Sequence, residues 1–202
     1  MNLKENVFIM KRVEDYVRSI PDFPEEGIIF RDVTSVLQDA DGLQLAIDEM
    51  QKLLAGVEFD VLAGAESRGF IFGMPIAYNL KKPFVLVRKK GKLPRETVEM
   101  SYELEYGSAT IEMHKDSIKP GQKVVLVDDL IATGGTIEAA AKLVEELGGE
   151  VVKIIFNDNE GIHFCKNFIN DFKGLSMLRE INDSTRWNPA LVHFENNELT
   201  AD

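Results

Sequence analysis

The run Val124-Val125-Leu126-Val127 is the feature that most narrows what this chain can fold into. A β-branched strand that is apolar at every position has no side to turn toward water, so it belongs in a sheet covered on both faces. Sheets of that kind are parallel, and parallel strands require helical crossovers. The flanking residues supply one. Lys119-Pro120-Gly121 turns the chain into the strand, and two acids followed by a Gly/Thr loop lead out of it. From Thr136 to Leu147 the apolar residues Ile137, Ala140, Ala141, Val144 and Leu147 recur at helical spacing, and Gly148-Gly149 supplies the stop. Val151 to Phe156 reads as the next strand, which completes a βαβ unit.

The same pattern recurs earlier. Asp60 to Ala63 and Phe84 to Val87 read as two further strands, with a helix from Gly69 to Leu80 between them in spite of Pro75. Leu43, Ala46, Ile47, Met50, Leu53 and Leu54 form the apolar stripe of a preceding helix. The polar stretch from Arg88 to Thr110, with Gly91, Pro94 and Gly107, reads as a long loop of the mobile-lid kind. Beyond Phe156 the pattern thins to a short helix from His163 to Phe172, a strand from Leu175 to Leu178 and a tail from Asn188 to Asp202. At 202 residues and 45% apolar content, the expectation is one α/β domain over residues 1–202, with a central, mainly parallel sheet flanked by helices.

A formal net charge of −11 argues against a general binder of nucleic acid or of anionic membranes, both of which need an excess of Lys and Arg. Cys165 is the sole cysteine, which rules out an internal disulfide and fits a reducing compartment. His114, His163 and His193 read as surface or packing residues. The stretch from Met1 to Arg12 places charges on both sides of a very short apolar run, unlike a signal peptide, and no stretch approaches the roughly eighteen apolar residues of a membrane span. A cytoplasmic protein is expected.

The chemistry concentrates between Val124 and Thr136. A glycine loop that opens a helix presents unbonded backbone N–H groups and the positive end of the helix dipole, which together make an anion site. Asp128 and Asp129 would repel that anion if they faced it, so they suit hydroxyls or a metal ion instead. A ligand with both a phosphate and vicinal hydroxyls satisfies both halves, and ribose 5-phosphate is one. Neither G-x-x-x-x-G-K-[ST] nor G-x-G-x-x-G occurs, and Gly64-Ala-Glu-Ser-Arg-Gly69 has the wrong spacing for a serine nucleophile elbow.

The segment Val124-Val-Leu-Val-Asp-Asp-Leu-Ile-Ala-Thr-Gly-Gly-Thr136 resembles the phosphoribosyl diphosphate signature of the type I phosphoribosyltransferases. Four further segments resemble, in order, those of the adenine phosphoribosyltransferases: Phe23-Pro-Glu-Glu-Gly-Ile-Ile-Phe-Arg-Asp32, Glu66-Ser-Arg-Gly-Phe70, Arg88-Lys-Lys-Gly-Lys-Leu-Pro94 and Ser101-Tyr-Glu-Leu-Glu-Tyr-Gly107. The resemblance implies the type I phosphoribosyltransferase fold with a mobile lid loop and a small N-terminal hood. It implies transfer of the 5-phosphoribosyl group from 5-phospho-α-D-ribose 1-diphosphate to adenine, giving AMP and diphosphate with Mg²⁺ bound mainly through the substrate.

Carried over residue by residue, it gives Asp128 and Asp129 the ribose hydroxyls, and Ala132, Thr133, Gly134, Gly135 and Thr136 the 5-phosphate. Ser67, Arg68, Arg88, Lys89, Lys92 and Tyr106 fall to the diphosphate, with Arg68 foremost. Glu105 becomes the acid/base for the purine imidazole proton, and Ile29, Phe30 and Arg31 pack on the base and read its edge. A homodimer is implied, for which the first helix and residues 84–92 are candidate interface elements. After Phe156, Asn157-Asp-Asn-Glu-Gly-Ile-His163 departs from the Lys-Gly-Arg-Glu-rich segment that borders the base pocket in the family. Two alternatives follow: transfer to a 6-oxopurine such as hypoxanthine, guanine or xanthine, or a non-catalytic sensor of phosphoribosyl diphosphate.

Overall fold

The computed structural model describes residues 11–27, 29–103, 107–128 and 134–155, together with the backbone of 192–195 and 198–201. By their internal contacts the residues form two compact units, Met1–Asp48 and Glu49–Asp202.

In the first unit a 3₁₀ turn at Val13–Tyr16 leads into β1 (Arg18–Pro21), which pairs antiparallel with β2 (Ile29–Asp32). Asp32 ends β2 by turning its carboxylate onto the backbone N–H (2.9 Å) and hydroxyl (2.6 Å) of Thr34, which opens the short helix α1 (Thr34–Leu37). Helix α2 (Ala40–Lys52) carries the apolar stripe read from Leu43 onward, although Leu53 and Leu54 lie in the turns that follow it.

The second unit is built on a six-stranded sheet in the order β5-β6-β4-β3-β7-β8. Strands β3 (Val61–Ala65), β4 (Phe84–Lys89), β7 (Lys123–Val127) and β8 (Glu150–Ile155) are parallel. They agree with the expected strands, and the mainly parallel α/β architecture is the one predicted. Helix α3 (Arg68–Leu80) crosses from β3 to β4, and α4 (Gly135–Glu146) from β7 to β8. β3 is buried at every residue, as a strand covered on both faces must be. Val61, Ala63, Val124 and Leu126 pack with Ile137, Ala140, Leu143 and Val144 of α4 to form the core.

Helix α3 runs through Pro75 and buries Gly69, Phe72, Gly73, Ile76 and Ala77. Its glycines are required by close approach. A Cβ on Gly73 would collide with the Phe84 ring, and one on Gly69 would lie 2.6 Å from the Val127 carbonyl oxygen. Lys81 closes the helix in the left-handed region at φ 53°, with its N–H bonded back to Ala77 and Tyr78.

The stretch from Arg88 to Thr110, expected to be a long loop, is largely regular. It holds the end of β4, all of β5 (Thr97–Glu103) and the start of β6 (Ser108–His114), paired antiparallel with Glu103 opposite Ser108. Val98, Met100 and Tyr102 alternate inward against the core, and that burial draws a charged segment into the sheet. Part of the expected tail is likewise a pair of antiparallel strands, β9 (Val192–Glu195) and β10 (Glu198–Ala201). The expected elements between His163 and Leu178 lie outside the described residues.

Candidate active site

The order of connection reverses between β3 and β7. β3 passes the chain through α3 to β4 on one side, while β7 passes it through α4 to β8 on the other. In open α/β sheets the crevice beyond the carboxyl ends of the strands at such a reversal is where ligands bind. The candidate residues of the second unit gather at those two strand ends because each follows its strand directly.

At the end of β7 the backbone N–H of Asp128 bonds the Ile155 carbonyl at 3.1 Å, which prolongs the pairing with β8 and fixes the direction in which the first acid leaves the sheet. Helix α4 begins after Gly134, which adopts φ 85°, a conformation that favours glycine. Gly134 has no side chain with which to cap this end, and a helix start of this kind presents first-turn N–H groups that suit an anion. Glu138 N–H bonds the Gly134 carbonyl at 2.9 Å and starts the helical ladder. Thr136 donates its hydroxyl to the Tyr102 hydroxyl at 2.9 Å. A Cβ on Gly135 would sit 2.9 Å from the Tyr102 ring, so only glycine fits beneath it.

At the end of β3, Glu66 N–H bonds the Val87 carbonyl at 2.9 Å, and a cis peptide joins Glu66 to Ser67. Ser67 precedes α3 without capping it through its side chain. Ser67 and Arg68 are both exposed at this helix start, which follows the strand adjacent to β7.

The basic run divides into committed and outward cations. Arg88 donates from Nε to the Glu66 carboxylate at 3.1 Å and from its terminal nitrogen to the Lys92 carbonyl at 3.2 Å. Lys90 pairs with Glu99 at 2.6 Å, which raises its pKa. Lys89 and Lys92 are exposed, and their ammonium groups form no ion pair among the described residues. The backbone beneath them is held by two carboxylates. Glu66 takes the Lys89 N–H at 3.1 Å, and the buried Glu112 takes the N–H groups of Lys92 at 2.7 Å and Leu93 at 2.8 Å. The Arg88 side chain holds the Glu66 carboxyl below its ordinary pKa, against the opposing effect of burial. Burial works to raise the pKa of Glu112, but backbone N–H donors from Gly91, Leu93 and Lys92 outweigh it and hold the carboxyl low.

Neither Glu112 nor Tyr102 was singled out from the sequence. The period-2 alternation of Val98, Met100 and Tyr102 is the signal that would have found the tyrosine. Nothing in the sequence marks Glu112 as buried.

In the first unit, Ile29 and Phe30 are exposed apolar residues on β2 at 55% and 38%, where a core role would have buried them. Phe30 meets the half-exposed Phe23 edge-to-face, with ring centroids 5.2 Å apart. Arg31 donates to the Ser19 hydroxyl across the ribbon. Glu105, Tyr106, Asp129, Ala132 and Thr133 lie outside the described residues.

An α/β sheet with a reversal point, two helix starts and an acid at its strand ends defines an α/β protein of the kind that takes ligands at the carboxyl edge of its sheet. Comparison with known proteins makes this specific. Residues 33–157 match the model of the phosphoribosyl transferase domain, and the match ends where the sequence departs from the family pattern. The adenine phosphoribosyltransferase of Agathobacter rectalis is 79% identical over 147 residues, covering 73% of this chain and 84% of that protein. The crystal structure of adenine phosphoribosyltransferase from Thermoanaerobacter pseudethanolicus superposes with a TM-score of 0.67 at 56% identity, covering 71% of this chain and 84% of that one. The Saccharomyces cerevisiae enzyme, complexed with an imino-altritol bisphosphate and adenine, does so with a TM-score of 0.66 at 40% identity, covering 71% and 84%. The chain belongs to the phosphoribosyltransferase family, and within it to the adenine phosphoribosyltransferases.

Proposed function

We propose that this chain transfers the 5-phosphoribosyl group of 5-phospho-α-D-ribose 1-diphosphate to adenine, forming AMP and diphosphate in purine salvage. The observation that carries the reading is the meeting of Asp128, the Gly134–Thr136 helix start and Ser67-Arg68 at the carboxyl ends of the adjacent strands β3 and β7. The family match runs from residue 33 across the division at Asp48, which supports a single catalytic domain.

In the reaction the bond from ribose C1 to the diphosphate oxygen breaks, a bond from C1 to adenine N9 forms, and the imidazole proton passes to Glu105. Asp128 and Asp129 hold the ribose hydroxyls and place negative potential beside a sugar that becomes cationic. Ala132 to Thr136 hold the 5-phosphate. Ser67, Arg68, Lys89 and Lys92 face the departing diphosphate, Arg88 braces the turn that carries them, and Tyr106 closes over it. Ile29, Phe30 and Arg31 take the base, where backbone groups tell a 6-amino from a 6-oxo purine because the two exchange a donor for an acceptor. The yeast relative crystallised with adenine supports that choice over a 6-oxopurine.

Among the described residues no three His, Cys, Asp or Glu side chains converge as a metal cage. Mg²⁺ would enter with phosphoribosyl diphosphate, held mostly by the substrate's own oxygens. When bound, the ion supplies positive charge to the leaving diphosphate. The protein acts in the cytoplasm, and no helix among the described residues is long and apolar enough to cross a membrane. It pairs as a homodimer, a reading supported by Ile71, Met74 and Tyr78, which stand exposed on the outer face of α3, and by exposed Leu86 on β4.

The test is competition among purines. With Mg²⁺ and phosphoribosyl diphosphate present, adenine is expected to be consumed ahead of hypoxanthine, guanine and xanthine, and preferential consumption of a 6-oxopurine would overturn the base assignment.

A further inference from the structure

We infer that Tyr102 is a positioning residue for the 5-phosphate, which aims the Thr136 hydroxyl into the phosphate loop. The inference rests on the reading of Ala132 to Thr136 as the 5-phosphate cradle. Tyr102 stands on the inward face of β5, packed against the core with Val98 and Met100, so its ring is anchored. The ring lies so close over the start of α4 that a Cβ on Gly135 would meet it at 2.9 Å. A phenylalanine would fill that space equally well. What the phenol adds is a hydroxyl, and Thr136 Oγ1 reaches it at 2.9 Å.

Each hydroxyl has one proton to donate and lone pairs to accept with. The Thr136 proton points to Tyr102. A phosphate at the start of α4 offers only acceptors, so it takes the Thr136 proton, and the phenol proton then turns to donate to Thr136 Oγ1. The result is a relay from Tyr102 through Thr136 to the phosphate in which each bond polarises the next. It holds the threonine in the rotamer the phosphate needs.

The experiment compares the unaltered protein with Tyr102→Phe, Thr136→Val and the double variant, varying phosphoribosyl diphosphate at saturating adenine. Tyr102→Phe is expected to raise KM for phosphoribosyl diphosphate about fivefold, the size expected for one hydrogen bond. Its kcat and its KM for adenine should hold within about twofold, because the 5-phosphate is bound alike in the ground and transition states. The double variant is expected to be no worse than Thr136→Val, since the phenol acts only through the threonine. Ser101→Ala, which removes a hydroxyl paired to Thr110 on the same hairpin, should leave every constant unchanged. An unaltered KM in Tyr102→Phe, or effects that multiply in the double variant, would overturn the relay while the transfer reading stands. A fall in melting temperature and kcat with no change in KM would make Tyr102 a packing residue and overturn it too. No AMP from the unaltered protein would defeat the transfer reading and the relay with it.

Discussion

The Glu66 carboxylate lies 3.1 Å from Nε of Arg88, and this pairing sets Arg88 apart from the exposed Lys89 and Lys92 of the same basic run. Arg88 is tied down, whereas Lys89 and Lys92 point outward from a backbone clamped by Glu66 and Glu112. Lys89→Ala and Lys92→Ala should therefore raise KM for phosphoribosyl diphosphate about three- to tenfold each, an effect that shrinks as salt is added. Arg88→Ala should instead lower stability by about 1–2 kcal/mol by leaving a half-buried carboxylate without its cation. Steady-state kinetics at two ionic strengths, beside a denaturant melt, separate the two behaviours.

Glu112 makes an acid-sensitive clamp. Its pKa is held below the ordinary 4.5, so its contribution to stability is complete above that pH and is lost as pH falls through the lower folded value. Glu112→Gln cannot titrate and puts an amide where backbone N–H groups need an acceptor. The variant should be less stable by about 1–3 kcal/mol at neutral pH. The gap should close as both proteins are taken below pH 4.5, which melting curves across that range would show. A gap that stays constant with pH would mean the carboxylate's charge contributes nothing.

Gly69 is where α3 touches the end of β7, beside Asp128, the acid proposed to hold a ribose hydroxyl. An added methyl would lie 2.6 Å from the Val127 carbonyl oxygen and 3.4 Å from the Asp128 Cα, and backbone cannot step aside as a side chain can. Gly69→Ala is expected to cost about 1–3 kcal/mol and to displace Asp128. Activity should fall by more than the loss of folded protein explains, measured as kcat per folded molecule.

Strands β3, β4, β7 and β8 and helices α3 and α4 were legible because buried parallel strands are apolar throughout and covering helices carry a 3.6-residue stripe. Hairpin β5–β6 was not. Glu99, Ser101 and Glu103 face out and make the segment look like a loop, while the residues between them face in. At the candidate site, the strand end at Val127 and the helix start after Gly134 were legible because they follow one another closely in the sequence. The clamp at Lys92 and Leu93 could not, because Glu112 lies 20 residues away and reaches them only through strand pairing.

Phe30 offers an exposed ring where a base can stack. Phe30→Ala should raise KM for adenine about fivefold to thirtyfold, in line with the stacking energy of one base on one aromatic ring. KM for phosphoribosyl diphosphate should stay put, and initial rates with each substrate varied in turn would reveal any departure.

The central claim is that this chain joins phosphoribosyl to adenine, and product stoichiometry tests it most directly. Purified protein with Mg²⁺, phosphoribosyl diphosphate and adenine should release AMP and diphosphate in equal amounts, and Glu105→Ala or Asp129→Asn should nearly abolish both while the protein stays folded. Binding of phosphoribosyl diphosphate with no nucleotide formed from any purine would contradict the account and leave a sensor in its place.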